Sequence, residues 1–280
     1  MYSPVYSLHQ LGWCASFAHY LTLDDFEAAY PARVVGAHRS GLSVLSARGQ
    51  GQVTVPARLI EELEDSIAVG DWVLVEHHAD RMYRLIERQS LLTRIAAGSQ
   101  SQRQSIAANV DTLFVVTSCN DDFNLSRLER YLALAHEAAV EPVLVLTKAD
   151  LCDDTAGYVA QARDISGAAT VLAVNATSAS SPSLLAPWLG DGQTVAFVGS
   201  SGVGKSTLTN TVIGIHARDT AGIGEDDASG RHTTTSRRMF ATATGAWVID
   251  TPGMRELRVG ALAHGVQRTF DDIETLADST

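Results

Sequence analysis

The sequence predicts a small all-β barrel followed by an α/β domain built on a parallel sheet. Three observations carry this. Residues 31–90 alternate short apolar runs with glycine turns. From residue 110 onward the apolar runs become near-continuous, with helical stretches between them. One late run, TVAFV from Thr194, leads into GSSGVGKS, which fits G-x-x-x-x-G-K-[ST] over Gly199–Ser206.

The 280 residues suffice for one large domain or two smaller ones, and a hydrophobic content of 45% supplies a packed core. No run of 18 apolar residues marks a membrane span, and MYSPVYSLHQLGW lacks the basic and apolar regions of a signal peptide. A cytoplasmic protein with no membrane role is expected. Cys14, Cys119 and Cys152 show no paired spacing, which fits a reducing compartment and excludes a Cys-rich zinc site in this chain. The net charge of −11 argues against broad nucleic-acid affinity by charge alone. That charge is uneven. Residues 31–110 carry nine Arg against eight Asp and Glu, whereas residues 111–280 carry 12 basic and 21 acidic side chains.

In order along the chain, residues 1–30 form an N-terminal extension without Lys or Arg. RVVGA, LSVLSA, QVTVPA, DWVLVE and RMYRLIE are each of strand length and are punctuated by glycines. They suggest a barrel over 31–92. The OB-fold is a five-stranded barrel that commonly binds oligonucleotides, and a small β-domain used as a spacer gives the same pattern. The α/β domain is expected over 93–265, with 266–280 beginning a helical region. Its strands are VDTLFVVTS, EPVLVLTKAD, TVLAVNATS and TVAFVGS. SRLERYLALAHEAAV has helical spacing, with Ser126 as the expected cap and Glu129 three residues on. RRMFATATGAWVID reads as two strands joined by a Thr-Gly turn.

The loop Gly199, Ser200, Ser201, Gly202, Val203, Gly204 turns backbone N–H groups toward phosphate oxygens. Lys205 reaches the outer phosphates, Ser206 ligates Mg²⁺, and the helix that continues through Thr207 points its positive end at the anion. DTPG, Asp250 to Gly253, ends the strand AWVID. Asp250 suits the outer-sphere Mg²⁺ role of a Walker-B aspartate, and Gly253 meets the γ-phosphate through its backbone. By itself DTPG is a common turn. TKAD at Thr147–Asp150 ends PVLVL. Asp150 accepts from the N1–H and N2–H₂ of guanine, a donor pair that adenine lacks, and the Lys148 stem packs along the base. NATS places Asn175, Ala176 and Thr177 where backbone contacts back the base, although alone it also fits a glycosylation acceptor. ARDTAGIGEDDASGRHTTT, residues 217–235, is a long polar loop. Thr234 and Thr235 offer hydroxyls to Mg²⁺ and γ-phosphate, as in a nucleotide switch. A flexible surface loop would read alike. The order TKAD, NATS, phosphate loop, switch, DTPG is rotated, since the phosphate loop ordinarily comes first. The domain therefore reads as a circularly permuted P-loop GTPase.

The chain resembles the RsgA (YjeQ) family. PARVV, GDWV, AANVDTLFVVTSCNDDFNLSRLERYLALA, TKADLCDD, GSSGVGKSTLTN, GRHTTTSR and DTPGMREL carry the resemblance, across residues 12–280. It implies an OB-fold before a permuted GTPase domain, with GTP or GDP and Mg²⁺ as ligands. It also implies late maturation of the small (30S) ribosomal subunit, contact with 16S rRNA, subunit-stimulated hydrolysis, and a monomer. The family usually continues into a zinc module. Here the sequence stops at Thr280 and no cysteine follows Cys152, so those zinc ligands are absent from this chain. Where many GTPases place a water-orienting Gln after the DxxG glycine stands Met254, which cannot hydrogen-bond. His232 in GRHTTT becomes the candidate for orienting or activating water, against a packing or ribosome-contacting role. Slow basal turnover and activation by a partner follow. A GTP-dependent RNA-binding module with negligible hydrolysis is the alternative, and a GTPase with a non-ribosomal partner is a third.

Overall fold

The structure is a computed structural model describing residues 5–38, 41–63, 67–95, 103–178, 181–214 and 238–250. Two short helices, α1 (Ala15–Ala18) and α2 (Leu23–Ala28), precede a long strand β1 (Ala29–His38). β1 pairs antiparallel with β2 (Gly41–Ser46) on one side and with β4 (Trp72–Glu76) on the other. β3 (Gly49–Val53) extends from β2, and β5 (Met82–Leu85) extends from β4, with helix α3 (Ala57–Glu62) between β3 and β4. Thr54, just past β3, donates to the Asp80 carbonyl and accepts from the Met82 N–H, both at 2.9 Å. The five strands thus follow the ring order β3-β2-β1-β4-β5. Alternate side chains such as Val34, Val44, Val53, Val73 and Met82 fill the space inside.

β6 (Leu91–Ile95) and β7 (Arg103–Ala108) form a separate two-stranded ladder that the apolar pattern does not predict. The α/β part then runs β8 (Thr112–Ser118), α4 (Leu125–Glu137), β9 (Glu141–Thr147), α5 (Thr155–Ser166), β10 (Thr170–Ala173) and α6 (Ser181–Leu185). It ends with β11 (Thr194–Val198), α7 (Lys205–Ile213), β12 (Arg238–Ala241) and β13 (Trp247–Asp250). The strand order is β10-β9-β8-β11-β13-β12, parallel throughout except for β12. β12 also meets β1 at Gly36↔Arg238, joining the ring to the sheet.

All residues of β8 and β11 are buried, as the near-continuous apolar runs predict. Alternation sends Leu113, Val115, Leu144 and Leu146 to one face, in one cluster with Leu128 and Leu132 of α4. Phe114, Val116, Val143 and Val145 go to the other, clustered with Leu208 and Val212 of α7. One expectation needs correcting. Helix α4 is capped by Asn124, whose side chain accepts from the Arg127 N–H at 2.8 Å, and Ser126 lies inside the first turn. Asn caps as well as Ser, and starting there adds a helical hydrogen bond from the Leu128 N–H to the Asn124 carbonyl.

Candidate nucleotide site

Because five of the strands run parallel, their carboxyl ends share one edge of the sheet, where open α/β sheets hold ligands. β11 lies at the centre of that sheet although it is the fourth of its strands in chain order. The loop that leaves it is tightly placed. Gly199, at φ +146°, has no room for a side chain: a Cβ there would stand 2.1 Å from the Val116 carbonyl oxygen. Gly202 and Gly204 also take positive φ, and Gly204 leads directly into α7 at Lys205. Lys205 is buried and donates through Nζ to the Ser200 carbonyl, so its ammonium lies back over the loop. Ser201, Gly202 and Ser206 are exposed, and Thr207 is half-buried.

Two side chains outside the loop grip it. Thr147, fully buried at the end of β9, donates through Oγ1 to the Val203 carbonyl at 2.6 Å and lies 3.1 Å from the Thr117 carbonyl. The first residue of TKAD is therefore fastened to the second half of the phosphate loop. At the first half, the Ser200 hydroxyl donates to the carboxylate of Asp122. No motif in the sequence predicts the Asp122 contact. Its only sequence clue is an acid between a strand end and a helix cap on the ligand-binding edge.

Lys148 takes a left-handed conformation, φ 57°, which turns the chain into a short 3-10 turn over Ala149–Leu151 and leaves Asp150 exposed. The turn after β10 is closed by Asn175, whose Oδ1 accepts from the Thr177 N–H at 2.9 Å and from its Oγ1 at 2.7 Å. Its neighbour Ala176 accepts from Thr211 of α7 at 3.4 Å. Asp250 ends β13, half-buried, one residue past the Ala196↔Ile249 pair with β11. The chain thus brings Thr147–Asp150, Asn175–Thr177, Gly199–Thr207 and Asp250 to one edge. His232, Thr234, Thr235, Gly253 and Met254 lie outside the described residues.

The donor set suits magnesium. A hydroxyl at Ser206 and a carboxylate at Asp250 are hard oxygen ligands, and Mg²⁺ takes only one or two protein groups when phosphates and waters complete its shell. Among the described residues no group of three or more His, Cys, Asp or Glu could hold a metal alone.

The phosphate loop that follows β11 and the TKAD tetrapeptide at the end of β9 meet within a rotated strand order, and that meeting defines a circularly permuted P-loop GTPase. Known proteins narrow the class. The family described as RsgA GTPase matches residues 85–260. The small ribosomal subunit biogenesis GTPase RsgA 2 of Vibrio vulnificus (strain CMCP6) is 50% identical over 275 residues, covering 98% of this chain and 77% of its own. The small ribosomal subunit biogenesis GTPase RsgA of Mesorhizobium japonicum is 47% identical over 97% of this chain and 78% of its own. In fold, the chain is similar to YjeQ from Thermotoga maritima, with a TM-score of 0.60 at 23% identity over 82% of this chain and 77% of that one. YloQ, a circularly permuted GTPase, gives 0.57 at 23% identity over 82% and 73%. The chain belongs to the RsgA GTPase family and is a GTP-hydrolysing enzyme.

Proposed function

We propose that this GTPase binds the small (30S) ribosomal subunit in the cytoplasm, as a monomer, and assists its late maturation, with hydrolysis stimulated by the subunit. The ribosomal part rests on relatives named small ribosomal subunit biogenesis GTPases at up to 50% identity. The nucleotide part rests on one observation, the Thr147 hydroxyl donating to the Val203 carbonyl, which makes the base-reading and phosphate-holding segments a single site.

In this reading the N–H groups of Ser200 to Lys205 surround the phosphates and Lys205 gives up the Ser200 carbonyl to reach the outer ones. Asp150 accepts from guanine, the Lys148 stem lies along the base, and Asn175–Thr177 back it. Ser206 and Asp250 hold magnesium, joined by Thr234. Magnesium supplies charge neutralisation on the phosphate oxygens. His232 orients the attacking water, and Thr235 and Gly253 meet the γ-phosphate. We assign residues 31–92 to an OB-fold barrel, in line with the ring order and its closure at Thr54, and we take it as the part that meets 16S rRNA. Residues 1–30 are then an extension, 93–265 the G domain, and 266–280 the start of a helical region.

The test is GTP turnover by the full chain with and without purified small subunits. Strong stimulation, lost in His232→Ala while GTP still binds, is the expected outcome. Unchanged turnover with GTP bound would remove the subunit as activator.

A further inference from the structure

We propose that Asp122 is a positioning residue for the phosphate loop: through Ser200 it holds the first half of the loop in the shape that receives GTP. The two halves of the loop are held differently. Thr147 grips the second half from the end of β9. The first half has Ser200, whose hydroxyl donates to Asp122 and whose carbonyl accepts from Lys205. When Lys205 turns to a phosphate, its bond to the Ser200 carbonyl is given up, and Asp122 remains to hold that residue.

Asp122 is itself fixed from two sides. Its N–H donates to Asn120 Oδ1 at 3.1 Å, and the same oxygen accepts from Ser118, the last residue of β8, at 2.7 Å. Arg127, in the first turn of α4, donates to the Asp122 carboxylate at 3.2 Å. The loop is thereby tied to the sheet and to the helix. Arg127 also balances the charge, so the carboxylate does not stand as an uncompensated negative group beside the phosphates. Burial pushes the Asp122 carboxyl upward, but the Ser200 hydroxyl and Arg127, with Lys148 in range, outweigh it and hold the carboxyl below its ordinary value. It is ionised at neutral pH and accepts only.

A preformed loop binds more tightly because less ordering is left to binding. Four full-length variants test this: Ser200→Ala, Asp122→Ala, their combination, and Asp122→Asn. GTP affinity is read by titration calorimetry, kcat and KM by phosphate release. Each single alanine variant is expected to weaken GTP binding by about tenfold, as for a lost hydrogen bond to a charged group. The double variant should lose no more than either single one, because both delete the same bond. Asp122→Asn should recover most of the loss, since its amide oxygen still accepts from Ser200. KM should rise in step with the lost affinity in the single alanine variants, and the preference for GTP over ITP, set by Asp150, should hold in all four.

A Ser200→Ala chain that binds GTP like the parent overturns the proposal, as does a double variant weakened by the product of the two single losses. Ser200→Ala removes only one hydroxyl, so it remains informative if an Asp122 variant fails to fold. The inference rests on the nucleotide-site reading. Failure of that reading would show separately, as a parent chain that does not bind GTP.

Discussion

The phosphate loop and the seam where the ring packs against the start of β8 are both rich in polar groups and glycine. At the seam, the polar groups are buried and most are answered from within the chain, Arg33 Nε being an exception. Asp71 is fully buried and accepts from Arg88 at 2.7 and 2.9 Å and from the Ala68 N–H at 2.7 Å. Asn109 accepts from the Gln89 N–H at 2.9 Å, donates to the Gly70 carbonyl at 3.0 Å, and offers its own carbonyl to Arg33. Gly70, at φ +95°, would put a Cβ 2.1 Å from the Ala108 carbonyl. The phosphate loop instead leaves Ser201, Gly202 and Ser206 exposed, and its side-chain anchors come from Thr147 and Asp122 outside it. The seam uses glycine and charge to close space, and the loop uses glycine to turn the chain while leaving Ser201, Gly202 and Ser206 at the surface. Removing seam contacts should cost stability first. Removing loop contacts should cost function first.

The largest effect is expected at the seam. Asp71→Ala takes the Asp71 carboxylate away from the little-exposed Arg88 guanidinium and the acceptor away from the Ala68 N–H. Breaking one side of a buried pair costs about 3–5 kcal/mol. Urea unfolding of the full chain should show that loss, while GTP affinity per folded molecule stays close to the parent. An Asp71→Ala protein with parent stability would break the comparison, because the seam would then be no more demanding than a surface.

The loop predicts the reverse. Lys205→Ala should lower the rate of GTP hydrolysis by about 10²–10³-fold, the usual cost of removing one donor aimed at developing charge. Its effect on unfolding should stay at about 1 kcal/mol, the usual size of a hydrogen bond such as the one it gives to the Ser200 carbonyl. Turnover and urea unfolding on the same preparation decide it. Instability as large as that of Asp71→Ala would mean that the loop, too, is part of what holds the fold.

This difference also explains what the sequence made legible. The phosphate loop, TKAD and the strands of the sheet stand out because ligand chemistry and two-sided burial each demand a fixed local pattern. Asp250 at its strand end follows from the same logic. The seam left no such trace. Arg33, Asp71, Arg88 and Asn109 are far apart in sequence, and each becomes informative only through partners that folding supplies. The short β6–β7 ladder and the Asn124 cap escaped for a related reason. The sequence alone points to Ser126, yet Asn124 caps as well on chemistry, and only the folded chain places the helix start. Asp122 lies between these cases: its loop could be placed on the ligand edge, but its grip on Ser200 is a tertiary contact.

The smallest effect is expected where a structural pair is partly open to water. Asp25, in the capping box that starts α2, accepts from the Thr22 N–H at 2.8 Å and from Arg84 of β5 at 3.0 and 2.6 Å. It fastens the N-terminal segment to the ring as Asp71 fastens Arg88 beside it, but the Arg84 side chain is 32% exposed and screened accordingly. Asp25→Asn should cost about 1–2 kcal/mol at pH 7, a cap and a half-open pair together. The pH dependence fixes the cause. Arg84 foremost, opposed by burial and helped by Thr22, holds the Asp25 carboxyl well below the usual carboxylate range. A depressed carboxyl contributes stability that is fully present above its unfolded value of 3.8 and is lost as pH falls through the folded value. The gap between parent and Asp25→Asn should therefore hold from neutral pH down to about pH 5 and narrow below about pH 4. A gap that stays constant on acidification would trace the cost of the substitution to lost helix geometry instead of lost charge. Asp25 would then stop being a weaker version of Asp71.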